Sequence, residues 1–395
     1  MKNTEHKGNF QRIAKRVVDA KGYAIKIKDP KTKKETTLYS REGPYEINID
    51  GGMNPIRVAF SGGGTILNTG TIIPDGSMSC ATNTLSPTQP IWTNGGCRDK
   101  GETVAKLIYK ILCTSKSENI THVDRVLTIA QKWGHAYWHF PMEALPGLAD
   151  QTEWLKKNPD VKIHITEAGS FHLAWLAVAG IPEDRVVSGT VHADEIFVGR
   201  QGTCGGPLPF QVEWLHWTIR LQGIAPKDTI TSDDGGPRTL LLIDRTKSRA
   251  LKNRQDLLTA MQALANKFKL KFDVFTDSAL GTVPEQLQRF ANAALVVGSH
   301  GAGAASLVAA DPGTPIVEIM DTTFMNLCTC SMASHGQYRY FGIASDRFTV
   351  DIGEIRALVN HVLVSGHVSG ATIPCELRLA GCPRIEDYTD VEDLE

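Results

Sequence analysis

The amino-acid sequence predicts an α/β protein built from two doubly wound, Rossmann-like domains. Two stretches of the chain each alternate short apolar strands with helical segments, which is typical of βαβ units. Between them, residues 225–237 (APKDTITSDDGGP) concentrate Pro, Gly, Asp and Thr, which predicts a linker or hinge. A chain of 395 residues with 42% hydrophobic residues is long enough for two cores. Since doubly wound sheets bind ligands beyond the carboxyl ends of their strands, we expect the domains to face each other across a cleft that holds the active site.

The first stretch starts near Val123 and follows a region without clear alternation. Residues 1–115 contain short β-like runs and many Gly, Asn and Thr residues, which predicts a β- and loop-rich extension that packs on the first domain. Ser61–Thr65 (SGGGT) lacks the Gly-Lys-Ser/Thr ending of a phosphate loop, so we interpret it as a turn. The first domain itself, residues 116–230, has predicted strands at VLTIA (126–130), VKIHIT (161–166) and EIFV (195–198), and helices at 140–155, 171–179 and 210–221.

The second stretch has near-continuous apolar strands, which are typical of a parallel sheet covered on both faces. We assign it to a second domain at residues 236–366 and interpret residues 367–395, with their acidic end, as a solvated tail. The predicted strands are TLLLID (239–244), KFDVF (271–275), ALVVGS (294–299) and TPIVEI (314–319), with crossover helices at 253–268 and 283–293.

Composition and charge exclude several classes of protein. The 42 basic and 43 acidic residues leave a net charge of −1, so no overall field attracts nucleic acid or an anionic membrane surface. No apolar stretch reaches the roughly 18 to 20 residues that span a bilayer. The first residues, MKNTEHKGNF, do not resemble a secretory signal, so we expect a soluble or cytoplasmic protein. The eight cysteines are too sparse for a disulfide framework, so we expect mostly reduced thiols, and the pairs Cys328 with Cys330 and Cys375 with Cys382 are the first to check.

The sharpest functional signal follows the strand ALVVGS. Ser299, His300, Gly301, Ala302 and Gly303 lead into a short helix, where glycines let the backbone approach a phosphate and the helix N-terminus stabilises its charge. The next strand delivers Glu318, which we expect at the strand end, where a carboxylate accepts hydrogen bonds from ribose hydroxyls. Two alternatives stay open: a tight turn with structural glycines, and the dinucleotide fingerprint of a nicotinamide-dependent oxidoreductase, although residues 311–313 (DPG) shorten the helix.

A basic segment directly after the strand TLLLID is the second signal. Arg245, Lys247 and Arg249 follow the carboxyl end of that strand, where guanidinium groups suit the two charges of a diphosphate. Asn253 belongs to the same segment and is a candidate ligand contact or the N-cap of the following helix. The alternative is an ordinary solvated basic loop.

The third signal follows the strand VLTIA. His135, His139 and Glu143 recur every four residues, and Pro141 is best tolerated in a first turn, so we expect a helix that starts near His139. His139 and Glu143 one turn apart form a plausible acid–base pair, although a buried histidine with a structural carboxylate is an equal alternative. We do not expect a metal site, because three ligands on consecutive turns spread too far for one ion and no Asp-x-Asp diphosphate clamp is present. Trp133, Trp138, Trp214 and Trp217 are candidates for stacking on a sugar, or simply packing.

These three segments resemble the family 61 glycosyltransferases over roughly residues 123–364. The pattern H-x-x-x-E-x-L-P occurs at His139–Pro146, and R-x-x-x-R-x-x-x-N at Arg245–Asn253. The pattern HGAG followed by PGT-x-x-x-E occurs at His300–Gly303 and Pro312–Glu318, with Ala304-Ala305 in place of the usual Leu-Thr or Leu-Ser.

The resemblance implies an inverting transferase with two Rossmann domains of the GT-B type that uses a UDP-sugar, with xylose or N-acetylglucosamine as the expected sugar. It further implies that His139 and Glu143 act in catalysis and that the arginine and glycine segments with Glu318 bind the nucleotide sugar. A glycan or glycoprotein acceptor is the expected partner, no cofactor or divalent metal is expected, and the oligomeric state is left open. The alternatives are an NAD(P)-dependent oxidoreductase and a non-catalytic glycan-binding relative.

Overall fold

The computed structural model describes four long stretches and several short strands. The long stretches are residues 120–199, 206–224, 239–323 and 326–364, and residues 63–75 and the strands listed below complete the description. The chain divides into two compact units, one of Met1–Ile27 with Glu35–Trp214 and one of Lys28–Lys34 with Leu215–Glu395. The predicted linker, the predicted tail and most of the predicted extension lie outside the described residues.

An eight-stranded sheet forms the centre of the first unit. Its strand order is β11-β10-β9-β12-β4-β5-β8, and β3 pairs with β12 beside β4. Strands β11, β10, β9 and β12 run parallel, with Val126 opposite Ile196 and Ile163 in register with Leu127. The described strands before residue 200 are β1 (Tyr23–Lys28), β2 (Glu35–Arg41), β3 (Arg57–Phe60), β4 (Gly64–Ile66), β5 (Thr71–Pro74), β6 (Met78–Ser79), β7 (Thr84–Leu85), β8 (Trp92–Thr93), β9 (Thr121–Thr128), β10 (Lys162–Ile165), β11 (Val186–Ser188) and β12 (Val191–Gly199).

The described part of the N-terminal region contributes strands to this sheet. Both β3 and β4 pair antiparallel with β12, and β5 continues from β4, so the sheet is mixed. Gly63 has a φ of 75° directly before β4, a left-handed conformation that favours glycine. Of the turn predicted at Ser61–Thr65, Gly64 and Thr65 lie in strand β4 instead, and residues 61 and 62 lie outside the described residues. Two further two-stranded sheets, β1 with β2 and β6 with β7, lie in the same region of the sequence.

The helix expected over residues 140–155 is wrong in extent, because the segment is broken into three pieces. A π-helical turn at Phe140–Ala144 is followed by a 3₁₀ turn at Leu145–Leu148 and then by helix α1. Pro141 and Pro146 lack the N–H that an α-helix needs, which explains the breaks. The α-helices up to residue 224 are α1 (Thr152–Lys157), α2 (Ser170–Val178) and α3 (Pro209–Leu221).

The second unit has a six-stranded sheet that confirms the predicted α/β class. Five strands run parallel in the order β14-β13-β15-β16-β17, and β18 pairs antiparallel with β17. Every residue of β13 and β16 is buried, as expected for strands covered on both faces. The strands are β13 (Thr239–Asp244), β14 (Lys271–Thr276), β15 (Ala293–Ser299), β16 (Pro315–Asp321), β17 (Arg339–Asp346) and β18 (Thr349–Val350).

Helices of the second unit pack against this sheet through an apolar core that includes Leu240, Leu264, Val317 and Val359. Helix α5 (Val283–Ala291) begins with a capping box, in which the Thr282 side chain accepts from the Glu285 N–H and the Glu285 side chain accepts from the Thr282 N–H. The helices are α4 (Arg254–Lys267), α5 (Val283–Ala291), a 3₁₀ helix at Ala302–Ala309, α6 (Cys328–His335) and α7 (Ile352–Val364).

Two further findings bear on the sequence-based expectations. Cys330 is fully buried and disulfide-bonded, whereas Cys328 is not disulfide-bonded, so these two cysteines do not bond to each other. The remaining cysteines lie outside the described residues. Among the residues that the structure describes, no helix is both long enough and apolar enough to cross a membrane.

Candidate active site

The glycine segment lies at the point where the strand order of the second sheet reverses. The chain passes from β13 to β14 on one side and then to β15 on the other side of β13. The loops that leave β13 and β15 therefore diverge, which opens a crevice at their carboxyl ends, the usual ligand position in doubly wound sheets. Arg245 follows β13, and His300 and Gly301 follow β15, so the two sequence signals meet at this crevice.

Arg245 lies directly over Gly301. A Cβ atom added to Gly301 would lie 1.7 Å from Nη1 of Arg245, so only glycine leaves room for this guanidinium. The Arg245 side chain is held in place by Ser248, because Nε donates to the Ser248 carbonyl at 2.8 Å and Nη2 donates to the Ser248 hydroxyl at 2.7 Å. Nη1 remains above the start of the 3₁₀ helix, where the N–H groups of Ala302 and Gly303 precede the first helical hydrogen bond, from Ala304 N–H to the Gly301 carbonyl.

Positive charge is concentrated at this point. Burial lowers the pKa of Arg245, and the nearby charge of Arg249 lowers it further, while Asp277 acts in the opposite direction. The Asp277 carboxylate is turned toward the loop backbone and accepts from the N–H of Thr246 at 3.0 Å. Two guanidinium groups and a helix N-terminus together favour an anion.

The other members of the basic segment have different positions. Arg249 lines a cavity and has a φ of 58°, a conformation that is uncommon outside glycine. Lys247 is exposed. Asn253 precedes helix α4, but its side chain makes no capping bond there. Instead, Nδ2 of Asn253 donates to the carbonyl of Val350 at 2.7 Å, and the N–H of Val350 donates to Oδ1 at 3.3 Å, so this amide fastens strand β18.

Glu318 is part of a buried hydrogen-bonded chain. Its Oε1 is 2.8 Å from Nδ1 of His300, and its Oε2 accepts from the hydroxyl of Tyr340. Burial and the charge of Glu318 raise the pKa of Tyr340 well above its usual range, so the phenol stays a donor. The expectation that Glu318 ends its strand is wrong, because β16 continues to Asp321 and Glu318 is only 3% exposed. Both carboxylate oxygens are engaged within the protein, which suits orientation of His300 better than contact with a ribose.

A cavity opens beside His300 at the carboxyl ends of β15, β16 and β17. Its volume, including space open to solvent, is about 250 Å³. One part of its lining is polar and the other is apolar. The lining residues are Arg249, Leu251, Ser299, His300, Ile319, Asp321, Ser345 and Phe348.

Asp321 organises the wall of this cavity. Its carboxylate accepts from the hydroxyl and N–H of Thr323, from the Ser345 hydroxyl at 3.2 Å and from the Phe348 N–H at 2.5 Å. The Thr323 hydroxyl, together with these other donors, outweighs the effect of burial and lowers the pKa of Asp321 to about 2. Phe348 has a φ of 63°, and the bond to Asp321 holds this uncommon conformation.

His139 and Glu143 form a hydrogen-bonded pair in the first unit. Nδ1 of His139 is 2.7 Å from Oε1 of Glu143, and the helical segment begins at His139, as predicted from Pro141. Glu143 is 1% exposed, whereas the His139 side chain is 28% exposed. An ionised carboxylate only accepts hydrogen bonds, so Nδ1 carries the proton and Nε2 keeps a lone pair for a substrate.

Gln131 completes this pair, and sequence reasoning did not single it out. Its Nε2 lies 3.2 Å from Oε2 of Glu143 and 3.2 Å from the carbonyl of His139, so one amide holds both ends of the pair. The contact joins residues 12 apart in sequence across the loop after β9. The other residues that sequence reasoning missed, Tyr340, Asp321 and Phe348, come from β17, the end of β16 and the turn before β18. Of these three, only Asp321 had a signal in the sequence, because it is an acidic residue directly after the apolar run PIVEIM.

Comparison with known proteins agrees with the chemistry of these residues. Residues 137–317 match the family model described as glycosyltransferase 61. This range includes His139, Glu143, the arginine segment and the glycine segment. No curated protein matches the chain. Among solved structures, a flavo di-iron protein mutant from Thermotoga maritima is similar over 55% of this chain and about half of its own, 51%, with 9% sequence identity and a TM-score of 0.26. Residues 137–317 therefore form a domain that matches the glycosyltransferase 61 family, whose members move a sugar from a donor to an acceptor.

Proposed function

We propose that this protein is an inverting glycosyltransferase of the GT-B type that transfers xylose or N-acetylglucosamine from a UDP-sugar to a glycan hydroxyl. The observation that carries the proposal is the anion-binding point made by Arg245, Arg249 and the N–H groups of Ala302 and Gly303. Its position at the strand reversal of the second sheet supports nucleotide binding there.

The departing diphosphate is the charge that this point would stabilise. Nη1 of Arg245 lies over Gly301 and Arg249 lines the adjacent cavity, so both residues lie on the same edge of the sheet. Charge-assisted hydrogen bonds of this kind strengthen as negative charge develops on the leaving oxygen. His300 also lines the cavity, and Glu318 orients its ring through Nδ1.

His139 is the proposed general base for the acceptor. Nε2 takes the proton of the acceptor hydroxyl while the hydroxyl oxygen attacks the anomeric carbon and forms the new C–O bond. The bond from the anomeric carbon to the diphosphate breaks on the opposite side, so the configuration inverts and UDP leaves with the electron pair. Glu143 holds Nδ1–H and stabilises the imidazolium that results.

Two alternatives from the sequence are weighed against this proposal. An NAD(P)-dependent oxidoreductase requires an acid that reaches the ribose, and both oxygens of Glu318 are already engaged by His300 and Tyr340. The family match over residues 137–317 also favours sugar transfer over hydride transfer. A non-catalytic glycan-binding relative would keep the fold without turnover, and hydrolysis of a UDP-sugar by the purified protein in the absence of acceptor would argue against it.

Calorimetry with UDP and NADH tests nucleotide binding. We expect UDP to bind and NADH not to bind, and Arg249→Ala to weaken UDP binding by about tenfold or more, because a charge-assisted contact to phosphate contributes roughly 1.5–3 kcal/mol. Arg356→Ala, an exposed change of the same charge on helix α7, is the matched control. Unchanged UDP affinity in Arg249→Ala would refute the phosphate assignment.

Turnover with a panel of UDP-sugars tests the base. Thermal stabilisation identifies the sugar that binds, and transfer is then followed for His139→Ala. We expect this variant to bind UDP normally and to lose transfer by about 10²-fold or more. Normal turnover in His139→Ala would show that another group removes the proton.

A further inference from the structure

Trp133 is an exposed tryptophan beside the His139–Glu143 pair. Its side chain is 41% exposed, although tryptophan is highly buried on average. The other large apolar residues that are exposed among the described ones, Leu221, Leu327 and Val364, lie near the ends of described stretches. Trp133 lies well inside the stretch 120–199, so the indole is exposed within a well-described part of the first unit.

The loop that carries Trp133 is held tightly. The N–H of Gly134 donates to the carbonyl of Gln131 at 2.9 Å, and the N–H of Ala136 donates to the carbonyl of Trp133 at 2.9 Å. Thr166 fastens the loop to the end of β10, because its hydroxyl donates to the carbonyl of Gln131 at 2.9 Å. A Cβ atom on Gly134 would lie 2.3 Å from that hydroxyl, so the close approach requires glycine.

Polar groups surround the exposed ring. The ring centroid of Trp133 lies 6.2 Å from that of His139 and 6.1 Å from that of His135, which is also exposed. The ammonium of Lys132 lies over the Trp133 ring, 5.3 Å from its centroid. An exposed aromatic ring with hydrogen-bonding groups near it matches a sugar ring, which has an apolar face of C–H groups and a rim of hydroxyls.

We propose that Trp133 is the stacking platform for a pyranose ring of the acceptor glycan, next to the hydroxyl that His139 deprotonates. The inference rests on the proposed function, since it gives the glycan a place beside the proposed base. The C–H groups of a sugar face carry partial positive charge and meet the negative face of the indole. β-Linked xylose and N-acetylglucosamine have their ring substituents equatorial, so they present this face without an axial hydroxyl in the way.

The hydrogen bonds that order the Trp133 loop reduce the conformational entropy that is lost when a glycan binds. Because Gln131, Gly134 and Thr166 already order the turn, the Trp133 side chain loses little conformational freedom when a glycan docks. Gln131 also holds Glu143, so the same residue fixes both the platform and the base. The acceptor ring and its reactive hydroxyl are therefore oriented together.

Calorimetry with xylohexaose and with chitotetraose, on the full chain, tests the platform. We expect the wild-type protein to bind at least one of these oligosaccharides, Trp133→Ala to bind it about tenfold more weakly, and Trp133→Phe to lie between them, because phenylalanine stacks with a smaller ring and alanine does not stack at all. Trp154→Phe is the matched control, since Trp154 packs against Phe197, 4.7 Å away between ring centroids. Its oligosaccharide affinity should equal that of the wild type.

Two further measurements separate a binding role from a structural one. UDP affinity, measured on the same samples, reports on folding and should be the same in Trp133→Ala and the wild type. In turnover assays, the acceptor KM should rise in Trp133→Ala more than kcat falls. Equal oligosaccharide affinity in Trp133→Ala and Trp154→Phe, or binding of neither oligosaccharide by the wild type, overturns the platform. Failure of the wild type to bind UDP overturns the proposed function instead, so the two failures are distinguishable.

Discussion

Gly301→Ala adds a single methyl group at the point where Arg245 lies over Gly301, and it therefore tests whether this contact matters for nucleotide binding. The added Cβ would lie 1.7 Å from Nη1, 2.8 Å from Cζ and 3.2 Å from Cδ of Arg245. The guanidinium must move away, which breaks its bonds to Ser248 and removes it from the start of the 3₁₀ helix. Gly301 has an extended backbone with φ of 164°, so alanine causes no backbone strain and the effect comes from Arg245 alone.

The size of the effect follows from the lost contact. A charge-assisted hydrogen bond to a diphosphate contributes roughly 1.5–3 kcal/mol, and each 1.4 kcal/mol is a factor of ten in affinity. We therefore expect Gly301→Ala to weaken UDP binding by about 10- to 100-fold. Gly169→Ala is the matched control, because its Cβ would lie 3.4 Å from Nδ1 of His172 and 3.7 Å from Oε1 of Glu167, which are ordinary contacts away from the arginine and glycine segments.

A double-mutant cycle with Arg245→Ala makes the test decisive. Once the guanidinium is removed, the methyl group at Gly301 has nothing to displace, so the two substitutions together should weaken UDP binding no more than Arg245→Ala alone. Calorimetry of the four proteins measures the coupling. If Gly301→Ala weakens UDP binding equally with and without Arg245, the contact between the two segments does not explain the role of Gly301.

The remaining predictions concern the base, acid stability and metal dependence. Glu143→Gln removes the negative charge behind His139, so transfer should fall by about 10²-fold or more with unchanged UDP affinity, and wild-type turnover in this variant would contradict the pairing. Burial lowers the pKa of His164 to about 4. Because this folded value lies below the unfolded value of about 6.5, the unfolded chain binds more protons below pH 6.5, and stability should fall by about 2 kcal/mol at pH 5 for this residue. Urea unfolding at pH 7 and pH 5 measures the loss, and a His164 ring that titrates near pH 6.5 by NMR would contradict it. Since Arg245 and Arg249 offer cationic stabilisation of the diphosphate, transfer should persist in EDTA, and a requirement for added Mg²⁺ or Mn²⁺ would show that arginines alone do not suffice.

Much of the second sheet could be predicted because its signals are local. The strand TLLLID was predicted at 239–244 and is observed at Thr239–Asp244, since an apolar run between turn signals is a property of neighbouring residues. The same holds for the start of the helical segment at His139, where Pro141 decides which backbone N–H is missing. The pairing of His139 with Glu143 follows from their spacing of one helical turn.

Contacts between strands that are distant in the chain could not be predicted from the sequence. Glu318 was expected at a strand end, but β16 continues to Asp321, and the partner of Glu318 is Tyr340 on β17, a strand that was not predicted. The antiparallel addition of β3 and β4 to the first sheet was also not foreseen. Strand order and register depend on which apolar faces pack together over the whole sheet, and local periodicity carries no information on them.

The amino-acid sequence by itself determined the α/β alternation and the spacing of the proposed base, His139, and its carboxylate. It also placed arginines after β13 and glycines after β15, which are residue types that bind anions. Only the tertiary structure decided that Arg245 lies over Gly301, that Glu318 orients His300, and that Gln131 holds Glu143 beside an exposed Trp133. The physical reason is that periodicity and backbone donors act over one or two turns of chain, whereas a side chain finds its partner through strand order and loop packing, which the whole folded unit sets.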